Sequence, residues 1–288
     1  MPFIITDDHI RINYRIDDLR DPWSDKPVEH ILMHHGWAKS MKWWTPCVAA
    51  LARRFRVVRY DCRGCGGSAV PSPQAGWSLQ RFVADALNVL DGLGIDRIHW
   101  VGFESGGAYG LAFAAAHPTR IRSVTTMNTA NSTWNSGGNM NAYFSIGDIS
   151  VDTAIDRLGM EGWVSRTLGI HIDLALADVS LVNWVKDEIL KTSLRVAKEW
   201  IGVYAAMDTS AIARSVRAPT LLMAGAKQAF GCEPAELQML ARHLTDCRIE
   251  HLPGVGGGIQ LLAPDAATGA LLRFIDDLSA PDRVAGCA

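Results

Sequence analysis

The sequence predicts a fold of the α/β class, a mostly parallel β-sheet covered by helices on both faces. Two observations predict it. Short, apolar and largely β-branched runs alternate along the chain with segments of helical periodicity, the pattern of parallel strands joined by crossover helices. One long segment, from about residue 131 to 216, breaks this alternation with helical periodicity and no convincing strand.

Each element has its own signal in the sequence. The first two strands alternate apolar and polar residues like an antiparallel meander, and the later ones are apolar throughout. The predicted strands are Phe3–Thr6, His9–Ile16, Val28–His34, Phe55–Tyr60, Ile98–Gly102, Ile121–Met127, Thr220–Ala224 and Arg248–Leu252. The predicted helices of the sheet domain are Trp43–Arg53, Leu79–Leu93, Gly106–Ala116, Glu233–His243 and Pro264–Leu278.

The long helical segment predicts an insertion into the sheet domain. Open α/β sheets bind ligands beyond the carboxyl ends of their strands, so we expect a cap there. The predicted domains are a core of residues 1–130 and 217–288 and a helical cap of residues 131–216. The sequence Arg217-Ala-Pro-Thr220 marks the return to the sheet.

Composition excludes several classes of protein. The chain has 288 residues, is 48% hydrophobic and carries a formal net charge of -2, which gives no electrostatic case for nucleic acid or an anionic membrane. The acidic first residues do not resemble a signal peptide, and no apolar run reaches membrane-spanning length, so we expect a cytoplasmic protein with a small-molecule partner. The sequence leaves the oligomeric state open.

The cysteines predict neither a disulfide framework nor a metal site. Six of them are scattered over a long chain. Cys62 and Cys65 have the spacing of a redox or zinc pair, but no second pair lies near them and a glycine-rich turn explains the spacing better. No metal, and no cofactor, is predicted.

The stretch WVGFESGGAYG, residues 100–110, reads as a strand, a sharp turn and a helix. A turn of this kind needs small residues two before and two after its apex, because a side chain there would collide with the strand or the helix. An apex at Ser105 would require Phe103 to be small. An apex at Glu104 places Gly102 and Gly106 at the two positions, so a glutamate is predicted at the apex.

With this turn, four motifs in order resemble those of the α/β-hydrolase fold family, in particular its enol-lactonase, small-ester and carbon-carbon bond hydrolase branch. The other three are His34-His-Gly-Trp37, Asp61-Cys-Arg-Gly-Cys-Gly-Gly-Ser68 and Leu252-Pro-Gly-Val-Gly-Gly-Gly-Ile-Gln260. The resemblance covers nearly the whole chain outside the cap and implies an eight-stranded sheet. It also implies an oxyanion hole formed by the backbone N–H groups of Trp37 and Ser105.

The same resemblance shows that all three triad positions are replaced. Glu104 stands where the family has its serine, Gln228 where it has its acid, and Gly257 where it has its histidine. The ordinary serine mechanism is therefore excluded. His251 is a poor substitute because of its place on the last strand, and His171 and Asp173 in the cap are expected to be solvated, so no imidazole relay is expected behind Glu104.

Three functions for Glu104 stay open. It can act as a nucleophile or a water-activating base in a hydrolase of a small, largely apolar ester, lactone or β-diketone. It can act as a base in an isomerase, lyase or cyclase. It can merely bind a ligand in a non-catalytic relative. The predicted pocket residues are His34, His35, Trp37, Phe103, Asn128 and Trp134.

Overall fold

The computed structural model describes residues 2–130, 151–227 and 232–279. Its strands are β1 (Phe3–Ile5), β2 (Arg11–Asp17), β3 (His30–His34), β4 (Arg56–Tyr60), β5 (Ile98–Phe103), β6 (Ile121–Met127), β7 (Thr220–Gly225) and β8 (Cys247–Leu252). Its α-helices are α1 (Thr45–Ala52), α2 (Leu79–Gly92), α3 (Ser105–Ala116), α4 (Val151–His171), α5 (Val179–Leu190), α6 (Leu194–Ala205), α7 (Thr209–Ala213), α8 (Pro234–Ala241), α9 (Ile259–Leu262) and α10 (Pro264–Ser279). Short 3₁₀ helices span Met41–Trp44 and Pro118–Arg120.

The strands form one eight-stranded sheet in the order β1-β2-β4-β3-β5-β6-β7-β8. The pairs β1–β2 and β2–β4 are antiparallel, and every other neighbouring pair is parallel. All residues of β5 and β7 are buried, as expected for strands covered on both faces. The predicted fold class is confirmed, including the antiparallel meander at the start.

Parallel pairing brings the carboxyl ends of the central strands to one edge of the sheet. Across β3 and β5 the register places His34 beside Gly102, and across β5 and β6 it places Phe103 beside Met127. The loops that follow these strands therefore converge where open α/β sheets bind ligands.

Helix α3, which follows β5, is buried along almost its whole length. Its sequence SGGAYGLAFAAA is rich in small residues, which lets it lie close to the sheet. A Cβ atom on Gly110 would come within 2.3 Å of the Trp100 Nε1 atom of β5, so that position has room only for glycine. The close packing fixes the start of α3 firmly over the end of β5.

Residues 151–216 hold four helices, and no strand occurs within that described stretch. Helix α4 is kinked at Gly159, which has a φ of 65°. The insertion contacts the loop after β3: the Trp37 Nε1–H group donates to the Ala197 carbonyl oxygen at 2.9 Å, and the Ser40 hydroxyl donates to Glu188 at 2.9 Å. These helices thus pack on the carboxyl-end loops of the sheet, and the exact domain boundaries stay a prediction.

Within the described residues, no helix has the length and apolar character that crossing a membrane requires.

Candidate active site

The turn between β5 and α3 has Glu104 at its apex. Its φ of 50° and ψ of -124° are unusual for a residue with a side chain. The turn is held by two hydrogen bonds of 2.9 Å, from the Glu104 N–H to the Met127 carbonyl and from the Thr129 hydroxyl to the Glu104 carbonyl. Ser105 is 1% exposed, and its hydroxyl is buried without a partner among the described residues. The acid, and not the alcohol, occupies the apex.

The flanking glycines have the steric reason that the sequence predicts. A Cβ atom on Gly102 would lie 2.2 Å from the Gly106 carbonyl oxygen. One on Gly106 would lie 2.4 Å from the His34 carbonyl oxygen. Gly36 in the loop after β3 is constrained as well, because a Cβ atom there would lie 2.6 Å from Glu104 Oε2.

Lys39 is the principal residue that the sequence analysis missed. Its side chain is fully buried, and its Nζ atom lies 2.6 Å from Glu104 Oε2 and 3.3 Å from the Trp37 carbonyl oxygen. The ammonium also lies 4.8 Å from the ring centre of Trp43 and 5.4 Å from that of Phe103, within cation–π distance. In the sequence, only its position two residues after Trp37 indicates that Lys39 lies near the site.

His171, at the end of α4, is 1% exposed, so the expectation that it is solvated is wrong. Its Nδ1 atom lies 3.1 Å from Lys39 Nζ and 3.4 Å from Glu104 Oε1. Its ring stacks on that of Trp37, with centroids 5.9 Å apart and an interplanar angle of 13°. An imidazole therefore stands beside the apex carboxylate, and the expectation that none does is also wrong.

The end of α4 is buried because it docks on the turn that follows β8. The Asp173 N–H donates to the Gly257 carbonyl at 3.2 Å, and the Gly256 N–H donates to Asp173 Oδ2 at 3.1 Å. Asp173 is therefore not solvated as expected; its side chain is 12% exposed and lies 3.8 Å from the Lys227 ammonium. Helical periodicity within the insertion carried no information about this long-range contact.

The docking also occupies the space beside Gly257. A Cβ atom on that residue would lie 3.2 Å from the Ile170 carbonyl oxygen and 3.4 Å from the Ile172 backbone nitrogen. The turn that resembles the family's histidine turn thus has the backbone around His171 packed against it. Gly257 stands where the family has a histidine, and the imidazole of His171 comes to the same region from the insertion.

The three charged or titratable groups influence one another strongly. Burial raises the pKa of the Glu104 carboxyl, but the charge and hydrogen bond of Lys39 outweigh it, so the pKa lies below its usual value. Burial lowers the pKa of Lys39 against the opposing effect of Glu104. Burial, helped by the Lys39 charge, lowers the pKa of His171. The arrangement favours an ionised Glu104 and a neutral His171.

Glu104 is also the most accessible of the three groups. Its side chain is 19% exposed, whereas those of Lys39 and His171 are 0% and 1% exposed. A ligand that enters the site therefore meets the carboxylate first.

Two backbone N–H groups lie in the neighbourhood of the apex. That of Ser105 opens α3, so it has no acceptor within the helix, and the positive end of the helix dipole lies there. That of Trp37 belongs to the loop after β3. Neither group has a hydrogen-bond acceptor in the described part of the chain. Their function as an oxyanion hole stays a prediction.

His34 and His35 both use their ring nitrogens inside the protein. His34 Nδ1 lies 2.7 Å from the His35 carbonyl oxygen and Nε2 lies 3.3 Å from Cys62 Sγ, while the ring stacks on Trp100. His35 Nδ1 lies 2.8 Å from the Gly36 carbonyl oxygen, and Nε2 accepts from the Cys62 N–H at 2.9 Å. The prediction that His34 faces a ligand is therefore wrong; it is a core residue.

The other predicted pocket residues differ in position. Phe103 is 1% exposed and packs against Trp43 and the Lys39 ammonium. Asn128 has a φ of 48° and donates to the Gly256 carbonyl at 3.3 Å, which ties β6 to the turn after β8. Trp134 and Gln228 lie outside the described residues.

The described cysteines are free thiols, Cys62 and Cys65 among them. In the described ranges no group of three or more histidine, cysteine or acidic side chains is arranged to hold a metal ion.

The sheet order, the strained apex between β5 and α3 and the helical insertion together define an α/β-hydrolase fold. Residues 29–148 match the family profile described as the alpha/beta hydrolase fold. The enol-lactonase from Burkholderia xenovorans LB400 superimposes with a TM-score of 0.81 at 23% identity, covering 96% of this chain and 100% of that one. The chain therefore has the α/β-hydrolase fold.

Three relatives show how far the likeness extends in sequence. A putative carbamate hydrolase RutD from a Caulobacter species is 26% identical over 270 residues, 88% of this chain and 92% of the relative. A RutD from Caulobacter segnis is 36% identical over 106 residues, which is 37% of this chain and 40% of that protein's length. The 3-oxoadipate enol-lactonase 1 of Acinetobacter baylyi is 38% identical over 95 residues, 33% of this chain and 35% of the relative.

Proposed function

We propose that this protein is a hydrolase of a small, largely apolar carbonyl compound, an ester, lactone or β-diketone, with Glu104 as the reacting group. The carbonyl oxygen would be held by the backbone N–H groups of Trp37 and Ser105. The observation that carries the proposal is the partly exposed carboxylate at the strained apex. The names of the relatives, carbamate hydrolase and enol-lactonase, support the same reaction class.

The surroundings of Glu104 favour a nucleophile over a base. Because Lys39 holds its pKa below the usual value, the carboxylate is ionised at neutral pH but binds a proton weakly. A weak base is poorly suited to removing a proton from carbon. An ionised carboxylate attacks a carbonyl without having to lose a proton first.

The attack produces an acyl-glutamyl anhydride, which water must then hydrolyse. A nucleophilic glutamate needs a group that activates this water, and His171 Nδ1 lies 3.4 Å from Glu104 Oε1. The nearby imidazole removes the main chemical objection to a covalent mechanism. Non-hydrolytic acid–base chemistry, as in an isomerase or lyase, is the alternative in which Glu104 takes a proton and forms no bond to the substrate.

The test uses p-nitrophenyl acetate and ethyl acetate with the wild type and with Glu104→Gln. The amide keeps the shape of the side chain but is a poor nucleophile, so ester hydrolysis should fall at least about a thousandfold. Unchanged hydrolysis by Glu104→Gln would refute the proposal. Gln80, which is exposed in the first turn of α2, offers a control as Gln80→Glu, expected to hydrolyse at the wild-type rate.

Chemical trapping separates the nucleophile from the base. Borohydride added during turnover reduces an acyl-glutamyl anhydride, and peptide mass spectrometry would then find a primary alcohol at position 104. A base mechanism leaves the carboxylate unchanged in the same experiment. A ligand-binding protein without catalysis would release no product from either ester, even on long incubation.

A further inference from the structure

We propose that Glu104, Lys39 and His171 act together as a charge-inverted triad, in which His171 of the insertion relays protons between Lys39 and the reacting ester. The inference rests on the proposed function and assigns the proton transfers that this function requires. It makes Lys39 the positioning residue and proton reservoir.

The hydrogen-bond partners of Lys39 determine which nitrogen of His171 carries the proton before substrate binds. The Lys39 ammonium has three N–H donors, and three acceptors lie within 3.3 Å of its Nζ atom: Glu104 Oε2, the Trp37 carbonyl and His171 Nδ1. All three donors are used only if His171 Nδ1 carries no proton. The imidazole is then neutral with its proton on Nε2.

This assignment leaves the second nitrogen of His171 for a substrate. Nε2 is buried and has no hydrogen-bond partner among the described residues. A buried donor without a partner is costly in the free protein, and a catalytic function is one explanation for such a group in a native structure. We assign its partner as the leaving-group oxygen of the ester.

In the first step the Glu104 carboxylate attacks the ester carbonyl, and the bond to the alcohol oxygen breaks. The leaving alkoxide takes the proton of His171 Nε2 while Nδ1 takes one from the Lys39 ammonium. The products are the acyl-glutamyl anhydride, the free alcohol, a neutral lysine amine and an imidazole whose proton is now on Nδ1. Charge is conserved, since one carboxylate and one ammonium become two neutral groups.

The second step reverses the relay. Water attacks the anhydride, His171 Nε2 takes a proton from it, and Nδ1 returns its proton to the Lys39 amine. The carboxylic acid leaves, and the Glu104 carboxylate and the Lys39 ammonium are restored. The only co-reactant is water.

The inverted charge follows from the nature of the nucleophile. A serine must lose a proton to attack, so its histidine acts first as a base and an acid side chain stabilises the resulting imidazolium. A carboxylate is already ionised, so the relay must first deliver a proton to the leaving group. A buried ammonium 3.1 Å from the imidazole is suited to supply it.

Leaving-group dependence tests the relay in His171→Gln. The control is Asp173→Asn, which weakens the docking of the insertion and the contact with Lys227 but keeps the His171 imidazole. p-Nitrophenolate needs no proton to depart, whereas ethoxide does. With p-nitrophenyl acetate the variant should release one equivalent of p-nitrophenolate per enzyme and then turn over at least a hundredfold more slowly. With ethyl acetate it should show no burst. Equal losses on both esters without a burst would indicate a structural role and overturn the relay.

Chemical rescue tests the need for two nitrogens. Imidazole added to His171→Gly should restore hydrolysis of ethyl acetate at least tenfold, and 1-methylimidazole, which cannot carry a proton on both nitrogens, should not. Rescue by both compounds would overturn the relay. Wild-type rates in Lys39→Met or His171→Gln, with Glu104→Gln inactive, would refute the relay while leaving the proposed function intact.

The resting state is testable without any substrate. Imidazole ¹⁵N NMR of the whole chain, with His171→Gln to assign the resonance, should show a neutral His171 protonated on Nε2. In Lys39→Met the proton should move to Nδ1, which then donates to Glu104 Oε1. A wild-type His171 protonated on Nδ1 would overturn the inference even if neither ester is hydrolysed.

Discussion

The Nζ atom of Lys39 lies 2.6 Å from Glu104 Oε2 although the lysine side chain is fully buried. Burying an ammonium is costly unless it is paired and hydrogen-bonded. The pair therefore connects the loop after β3 to the apex after β5, the two segments that carry the candidate oxyanion donors. Either charge without the other would destabilise the fold, so the stabilities of the single and double variants measure the strength of the pair.

Glu104→Gln should destabilise the fold more than Lys39→Met. The amide leaves a buried ammonium without its counter-charge, at a cost of about 3–5 kcal/mol, whereas removing Lys39 leaves a carboxylate that still has access to solvent. In the double variant Lys39→Met/Glu104→Gln much of the loss should be recovered, because no buried charge remains. Urea unfolding of the four proteins gives the coupling free energy, and strictly additive losses would contradict the pairing.

The apex should tolerate no side chain at its flanking glycines. Gly102→Ala puts a Cβ atom 2.2 Å from a backbone carbonyl oxygen, which cannot move without opening the turn. We expect a loss of at least about 3 kcal/mol or failure to fold, measured by denaturant unfolding.

Gly202→Ala is the matched control for this substitution. Gly202 lies inside α6, and a Cβ atom there meets nothing within 4 Å. Alanine should therefore stabilise the protein, by about 1 kcal/mol from helix propensity alone. If Gly102→Ala folded as well as Gly202→Ala, the steric explanation of the apex would be wrong.

The fold and the apex were predictable because their signals are local. Strand and helix periodicity identified every strand of the sheet, and the spacing of Gly102 and Gly106 around Glu104 identified the apex from sterics alone. Backbone geometry of this kind leaves its mark on neighbouring residues in the sequence.

The partners of Glu104 were not predictable in the same way. Lys39 is 65 residues from Glu104 in the sequence and His171 is 67 residues away. A lysine in a loop and a histidine at a helix end are ordinarily exposed. Only the docking of α4 on the turn after β8 buries His171, and that contact depends on tertiary packing. The prediction for His34 was wrong for the opposite reason. Its position at the end of β3 predicted contact with a ligand, but its ring packs against Trp100 and Cys62 and belongs to the core.

Acid should destabilise the protein well above the usual pKa of carboxyl groups. Burial lowers the pKa of His34 to about 3 and that of His35 to about 4, so both stay neutral in the folded state. The unfolded chain binds protons at these sites below about pH 6.5, so their contribution is complete above that pH and is lost as the pH falls towards the folded-state values. Between pH 7 and pH 5 each histidine should cost about 2 kcal/mol.

The free energy of unfolding measured at several pH values checks this. Near pH 5 the two histidines together should give a slope of about 2.7 kcal/mol per pH unit. His35→Gln should reduce the slope. A flat profile between pH 7 and pH 5 would show that the two rings are not buried and neutral.

The indole N–H of Trp37 should hold the insertion on the core. It donates to the Ala197 carbonyl of α6 at 2.9 Å, while the ring packs on Trp163 and His171. Trp37→Phe keeps an aromatic ring at the position but loses the hydrogen bond, worth about 1 kcal/mol, in addition to some packing.

Trp44→Phe is the matched control, because Trp44 is equally buried and its N–H has no partner among the described residues. Hydrogen exchange should therefore become several-fold faster in α6 and at the end of α4 in the Trp37 variant only, since the loss releases contacts between the insertion and the core. Equal acceleration in both variants would assign the effect to lost ring volume rather than to the hydrogen bond.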